Sequence, residues 1–264
     1  MSYLLYALVS AVGGLLVGLI GTGMSLVVLP SLVLIFSGLL DGHDTVRLAA
    51  GTTMAAMAAG AIAGALAQNR AGHVDFRLFR WMLLPYVVGA MVGPWISRFL
   101  PTRFLSAYVA VIITVIAVRM LLANREISLP QRNYPDHRLE MTFVLAGIAM
   151  LSSIAGIASG IFAIPYLVAR FSLPVRTIIG TSTAAAALYS TVGALGYVSA
   201  GWSAPNLPDN AVGFVYLPAF VIMAVVATLF TPLGVRLASH INERVLRRVF
   251  AVFLLMAAAV ILMS

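Results

Sequence analysis

Four short stretches set glycine beside hydroxyl side chains within otherwise apolar sequence. Gly21, Thr22, Gly23 and Ser25 lie in "GLIGTGMSLVVLP" (Gly18 to Pro30), and Gly156, Ser159 and Gly160 in "GIASGIFAIP" (Gly156 to Pro165). Gly51, Thr52 and Thr53 stand in "AAGTTMAAM", and Gly180, Thr181 and Ser182 in "IIGTSTAAA". Glycine costs roughly 1 kcal/mol and proline roughly 3 relative to alanine inside a helix, so the first two stretches predict breaks. A turn between two helices leaves unpaired N–H groups at the start of the second, where the macrodipole adds about half a positive charge. Neutral hydroxyls nearby add further donors. The chemistry on offer is the binding of a small anion by Thr52, Thr53, Thr181 and Ser182, together with the backbone N–H groups after Gly21 and Gly156. A lone Gly, Ser or Thr in a membrane helix serves close packing just as well; clustering and duplication favour binding here.

The residue types that are missing narrow the reading further. All eight carboxylates (Asp41, Asp44, Asp75, Glu126, Asp136, Glu140, Asp209, Glu243) and all four histidines (His43, His73, His137, His240) fall in loops or at segment ends. An embedded proton relay needs such groups inside the membrane. No Ser, His and Asp share one layer as hydrolysis requires, and no ligand cluster suits a catalytic metal. Cysteine is absent, which excludes disulfides, zinc thiolates and thiol relays. The expectation is a protein that is not an enzyme and needs no cofactor or metal. Arg119 is expected to snorkel to the membrane surface, while Tyr189, Tyr197 and Trp202 read as packing or interface aromatics.

The elements that must position these residues are membrane helices. Of 264 residues, 62% are hydrophobic and 9% charged, with a mean hydropathy of +1.05; a soluble domain carries about 25% charged residues. Apolar segments near the roughly 20 residues of a spanning helix recur: Leu48–Gln68, Trp81–Ser97, Phe104–Val118, Thr177–Ala200, Ala211–Val235 and Val249–Met263. Tyr3–Leu40 and Met141–Ala169 carry the breaks. The net charge of +8 comes from sixteen arginines and no lysine. They sit at segment edges, where they act as topology signals and offer no basic face to nucleic acid. "MSYLLY" has no basic leader region and reads as mature protein.

The two breaks belong to a duplication. An offset of 135 residues sets Gly21 on Gly156, Ser25 on Gly160 and Pro30 on Pro165; with small drifts, Gly51, Thr52 and Thr53 face Gly180, Thr181 and Ser182, and "GPWISRF" faces "TPLGVRL". Residues 1–124 and 141–264 are thus expected to be repeats joined by a linker, 125–140. If each broken run crosses the membrane once, nine arginines fall on one side and seven on the other. If each folds back as a hairpin, the split is thirteen to three, with only Arg47, Arg98 and Arg103 in the minority. The positive-inside rule selects the hairpin. The expected architecture is an all-α polytopic membrane protein of two inverted repeats, each a broken or re-entrant helical hairpin followed by three transmembrane helices. Both termini then face the periplasm and the linker the cytoplasm. A non-helical turn at membrane depth is tolerated where protein or a watery cavity covers it, and transporters with inverted repeats place their site between such broken helices.

"GTGMSLVVLP" followed by "AAGTT", then "GIASGIFAIP" followed by "IIGTS", resembles the duplicated signature of the sulfite exporter TauE/SafE family across nearly the whole chain. Gly23, Met24 and Ser25 stand where members often carry three glycines. The resemblance implies a transporter of the bacterial inner membrane exporting sulfite, sulfonates or related small anions. Its partners are then the anionic substrate and the lipid bilayer, without nucleic acid; a homodimer is left open. A passive anion channel of the same architecture is the alternative, and an embedded assembly protein without flux a third reading.

Overall fold

The computed structural model describes residues 2–21, 23–39, 44–122, 138–171, 173–205 and 207–237, with residues 255 and 258 beyond them. Thr22, most of the linker and most of the segment Val249–Met263 lie outside the described residues, as does the side chain of Arg119.

The described chain is built of helices: α1 (Ser2–Ile20), α2 (Met24–Leu39), α3 (Thr45–Arg70), α4 (Phe76–Phe99), α5 (Thr102–Leu122), α6 (Arg138–Ile154), α7 (Gly160–Arg170), α8 (Val175–Gly201) and α9 (Leu217–Leu237). Four of them, α3, α4, α8 and α9, are long and apolar enough to cross a membrane; α1, α2, α5 and α7 contribute shorter apolar stretches. The protein is an all-α polytopic membrane protein. Leu84, Phe143 and Leu195 are among many large side chains left on the outside, as suits a surface solvated by lipid.

Both predicted breaks are real. α1 and α2 meet at Gly21 and Gly23, which take φ of 78° and 131°. Gly13 lies against Met24 and Val28, and Gly23 against Leu16, so the two helices run back along each other as a hairpin. α6 and α7 are separated by a turn at Gly156, φ 71°. Gly160, by contrast, opens α7 as an ordinary helical residue. A third expectation needs correction: Ala211–Val235 is not helical throughout. Residues 211–216 form a two-stranded hairpin, Ala211–Val212 paired with Val215–Tyr216, and α9 begins only at Leu217. Gly213 supplies the positive φ that the tight turn demands, and Asn210 that of the turn leading into the first strand; these local needs override an apolar composition that fits a helix equally well.

The packing exchanges partners between the halves. α1 lies along α9, α4 along α6, and α3 along α8; α3 also touches α9, as α4 touches α8. Gly51 of α3 meets Tyr197, Met54 meets Gly193, and Gly64 meets Thr183, which makes α3 and α8 antiparallel neighbours. Gly89 and Gly93 on α4 meet Ala149 and Ser153 on α6, so that pair is parallel; Gly14 and Gly18 on α1 meet Ala227 and Thr231 on α9 in the same sense.

Candidate functional site

The two Gly-Thr motifs occupy equivalent places and do the same work. A side chain at Gly51 would collide with the carbonyl of Phe214, and one at Gly180 with the carbonyl of His73. Each glycine therefore lets the loop ahead of the next long helix lie on the helix surface. The following threonine receives that loop. Thr52 Oγ1 accepts from the Tyr216 N–H at 2.9 Å, one residue before α9, and Thr181 Oγ1 accepts from the Asp75 N–H at 2.9 Å, one residue before α4. Thr52 also donates to the Leu48 carbonyl at 2.7 Å, so its proton is spent. Asp75 in turn caps α4, its Oδ1 accepting from Arg77 N and Leu78 N.

The third position of each motif behaves differently. Thr53 and Ser182 are fully buried and make no hydrogen bond. This is unusual for the molecule, since Thr52, Thr183, Ser190 and Thr231 all bond back to a carbonyl four residues earlier. Along the antiparallel α3–α8 pair, Ser182 lies beside the level of Gly64. At 1.5 Å per residue that is about 17 Å from Thr53 along the helix axis. The four hydroxyls expected to converge are thus divided between two places, Thr52 and Thr53 at one and Thr181 and Ser182 at the other.

Each place adjoins one of the breaks. The turn at Gly21 packs on Ile179, and Thr183 Oγ1 donates to the Gly21 carbonyl at 3.1 Å. Gly156 packs as closely on Ala50, one helical turn before Thr53. The two breaks also touch each other: Ser25 Oγ accepts from the Ala158 N–H at 2.9 Å. Ser25 is therefore a clasp between the breaks.

The second break is the richer in free donors. Seven buried side-chain polar atoms among the described residues lack a partner; those of Tyr86, Ser152 and Ser159 belong to this break, and that of Thr53 lies one helical turn from Ala50, on which Gly156 packs. Ser152 belongs to the turn itself, its carbonyl taking the Ile157 N–H. Ser159 precedes α7 without capping it, and its hydroxyl lies beside that of Tyr86, yet neither closes a bond. Tyr189 and Tyr197 do close theirs: Tyr189 donates to Ile157 O at 2.9 Å, and Tyr197 to Ser153 O and Ile154 O at 2.9 and 3.0 Å. These buried tyrosines bond carbonyls at the end of α6 and in the turn after it, more than the packing expected of them. Trp202 is exposed. Tyr86 and Ser152 escape sequence reasoning; "LSSIAG" before the break was the available signal for Ser152, and a lone Tyr between apolar neighbours gave little for Tyr86.

An unbonded buried hydroxyl costs about 1–3 kcal/mol. Four of them rival the net stability of a folded domain, about 5–15 kcal/mol. They call for a polar guest that accepts hydrogen bonds. No charged side chain is placed to provide it: the one buried arginine, among the described residues, is Arg47, and it serves the protein. Its Nε donates to Ser97 O at 2.7 Å, its other nitrogens reach Leu100 O and Asp44, and so it closes the C-terminal end of α4. No group of His, Cys, Asp or Glu that could hold a metal occurs among the described residues.

Comparison with known proteins agrees with a membrane transporter. A probable membrane transporter protein of Haemophilus influenzae is 29% identical over 97% of this chain and 96% of its own length. Probable membrane transporter proteins of Bacillus subtilis (26% identical, 75% and 80% covered) and Methanocaldococcus jannaschii (25%, 92% and 89%) are similar too. No solved structure matches. Residues 6–261 match the family described as Sulfite exporter TauE/SafE, and with nearly the whole chain covered, it belongs to that family.

Proposed function

We propose that the protein is a secondary transporter that exports a small oxyanion, of the sulfite and sulfonate kind, and holds it at the break between α6 and α7. Its family and relatives make it a membrane transporter; the anion and the direction are the proposal. The observation that carries it is the set of Tyr86, Ser152 and Ser159 at a turn of positive φ, with Thr53 one helical turn from the residue on which that turn packs, four buried hydroxyls without partners. An anion accepts several hydrogen bonds at once, each worth roughly 1.5–3 kcal/mol to a charged acceptor. Neutral donors suit a carrier. A buried cation would have to stay desolvated each time the site empties, at several kcal/mol.

The same reading makes the halves inverted repeats, with both termini periplasmic and Asn124 to Glu140 cytoplasmic. Antiparallel α3 and α8, and the exchanged pairs α1 with α9 and α6 with α4, support it.

Counterflow of labelled sulfite in proteoliposomes is the test. Saturable exchange with sulfite, lowered at least tenfold by Ser159→Ala in a folded protein, is expected. Electrical conductance without counterflow would make the protein a channel, and flux untouched by Ser159→Ala and Thr53→Val alike would move the site elsewhere.

A further inference from the structure

A cleft of about 250 Å³ opens between α3, α4 and α8, and none of the hydroxyls of the second break lines it. Ile62, Leu66, Phe76, Phe79, Ala184 and Ala187 form most of its walls, and Asn69 is the polar residue at its end. Leu66 and Phe76 are 56% and 59% exposed, so the cleft faces the surroundings. It runs from the last turns of α3 and the first turn of α4 inward along α8, as a groove for something that enters from the bilayer.

Arginines neighbour the lining residues in sequence at the polar end of the cleft. Arg70 follows Asn69 at the end of α3, and Arg80 lies one turn beyond Phe76 on α4; both are exposed. Arg77 of α4 and Arg138 of α6 both stack on Trp81, 5.7 and 5.2 Å from its ring centre. The acidic group nearest in sequence, Asp75, has its carboxylate on the first amides of α4. Apolar walls ending in two arginines and an amide complement one kind of molecule, a chain with an anionic head.

We propose that this cleft binds one anionic phospholipid, an acyl chain lying against Leu66, Phe79, Ala184 and Ala187 and the headgroup phosphate on Arg70 and Arg80. Within a bilayer an apolar groove gains little from hydrophobic driving force, because the lipid around it is as apolar as its walls. A chain resident there gains close packing, and the headgroup decides which lipid stays. Basic residues at the membrane surface select anionic over zwitterionic heads, and two of them give a preference of about tenfold or more. The site is independent of the transported anion, since it touches none of the hydroxyls assigned to that cargo.

The test is retention of lipid by the purified full chain, read by native mass spectrometry after exchange into mixed micelles holding equal amounts of phosphatidylglycerol and phosphatidylcholine with the same acyl chains. One phosphatidylglycerol retained about tenfold over phosphatidylcholine is expected. Arg70→Gln with Arg80→Gln should erase that preference, and Ala184→Leu with Ala187→Leu should abolish retention by filling the groove. Because the filled variant could fold poorly, a phosphatidylglycerol carrying a diazirine in its acyl chain supplies a second reading on the unmodified protein, with labelling expected on residues 62–79 and 184–187. Equal retention of both lipids, or labelling spread evenly over the helices, overturns the proposal.

Discussion

Within each Gly-Thr-Thr or Gly-Thr-Ser motif, adjacent hydroxyls have opposite tasks. Thr52 holds the loop before α9 through Tyr216 N–H, whereas Thr53 holds nothing within the protein. Thr52→Val should therefore leave the part-buried Tyr216 amide without this partner, at about 1 kcal/mol, and lower the thermal midpoint of the purified protein. Affinity for the anion should change little. Thr53→Val should do the reverse, keeping the midpoint or raising it while weakening binding about tenfold. Calorimetric titration beside a melting curve for each variant separates the two, and parallel losses in both measurements for both variants would refute the division. Nothing in the motif itself distinguishes the two threonines. The distinction comes from loops that return 106 and 164 residues away in sequence, and no local pattern records which amide will arrive.

At the scale of elements, the breaks and the close contacts rest on glycine for separate reasons. Gly51 has the wrong surroundings for a side chain, with the Phe214 carbonyl where a Cβ would sit, while Gly38 meets nothing within 4 Å. Gly51→Ala is expected to push the 211–216 hairpin off α3 and to cost about 1–3 kcal/mol through overpacking. Gly38→Ala should be neutral or slightly stabilising, since alanine favours helix by about 1 kcal/mol. Fluorescence-detected gel filtration after a heating series reads both; equal behaviour of the two variants would contradict the contact. The positions of the breaks were legible because Gly, Ser and Pro crowd into runs that are otherwise apolar. The hairpin at 211–216 was not, because Ala211, Val212, Val215 and Tyr216 suit helix and strand alike and only the positive φ at Asn210 and Gly213 decides. Tyr86 was hidden for a related reason, as one polar atom on an apolar helix gives no period to detect.

For the whole molecule, the proposed sidedness, read from the arginine distribution, is one that reporter fusions can check. Alkaline phosphatase fused within the linker should be inactive, and active when fused after the last residue; the opposite pattern would break the hairpin topology. Within that topology Arg47 lies on the arginine-poor side, tying Ser97 and Leu100 at the end of α4 to Asp44. Its counterpart in the motif alignment, Arg176, is exposed, so the two faces of the molecule are fastened differently. Arg47→Met would leave Asp44 without its buried partner, a change that typically costs about 3–5 kcal/mol, and Asp44→Asn in the same chain should restore part of the loss in melting temperature. A double variant no more stable than Arg47→Met alone would show that the pair does not fasten this face.

The exchange of packing partners between the halves has a consequence for how the chain is made. The stripe of α1 around Gly14 and Gly18 is completed by Ala227, Thr231 and Gly234 of α9, which leave the ribosome more than two hundred residues later. At about 5–20 residues per second, synthesis keeps that stripe waiting for roughly 10–40 s. During this interval the nascent first half sits in the translocon or the bilayer with its best contact surface unmatched. Residues 1–124 expressed alone should therefore be inserted but rapidly degraded, and co-expression of residues 125–264 from a second message should rescue them. Pulse-chase labelling of the two fragments gives the half-lives, and a first half that persists unaided would mean that its surface does not need to wait.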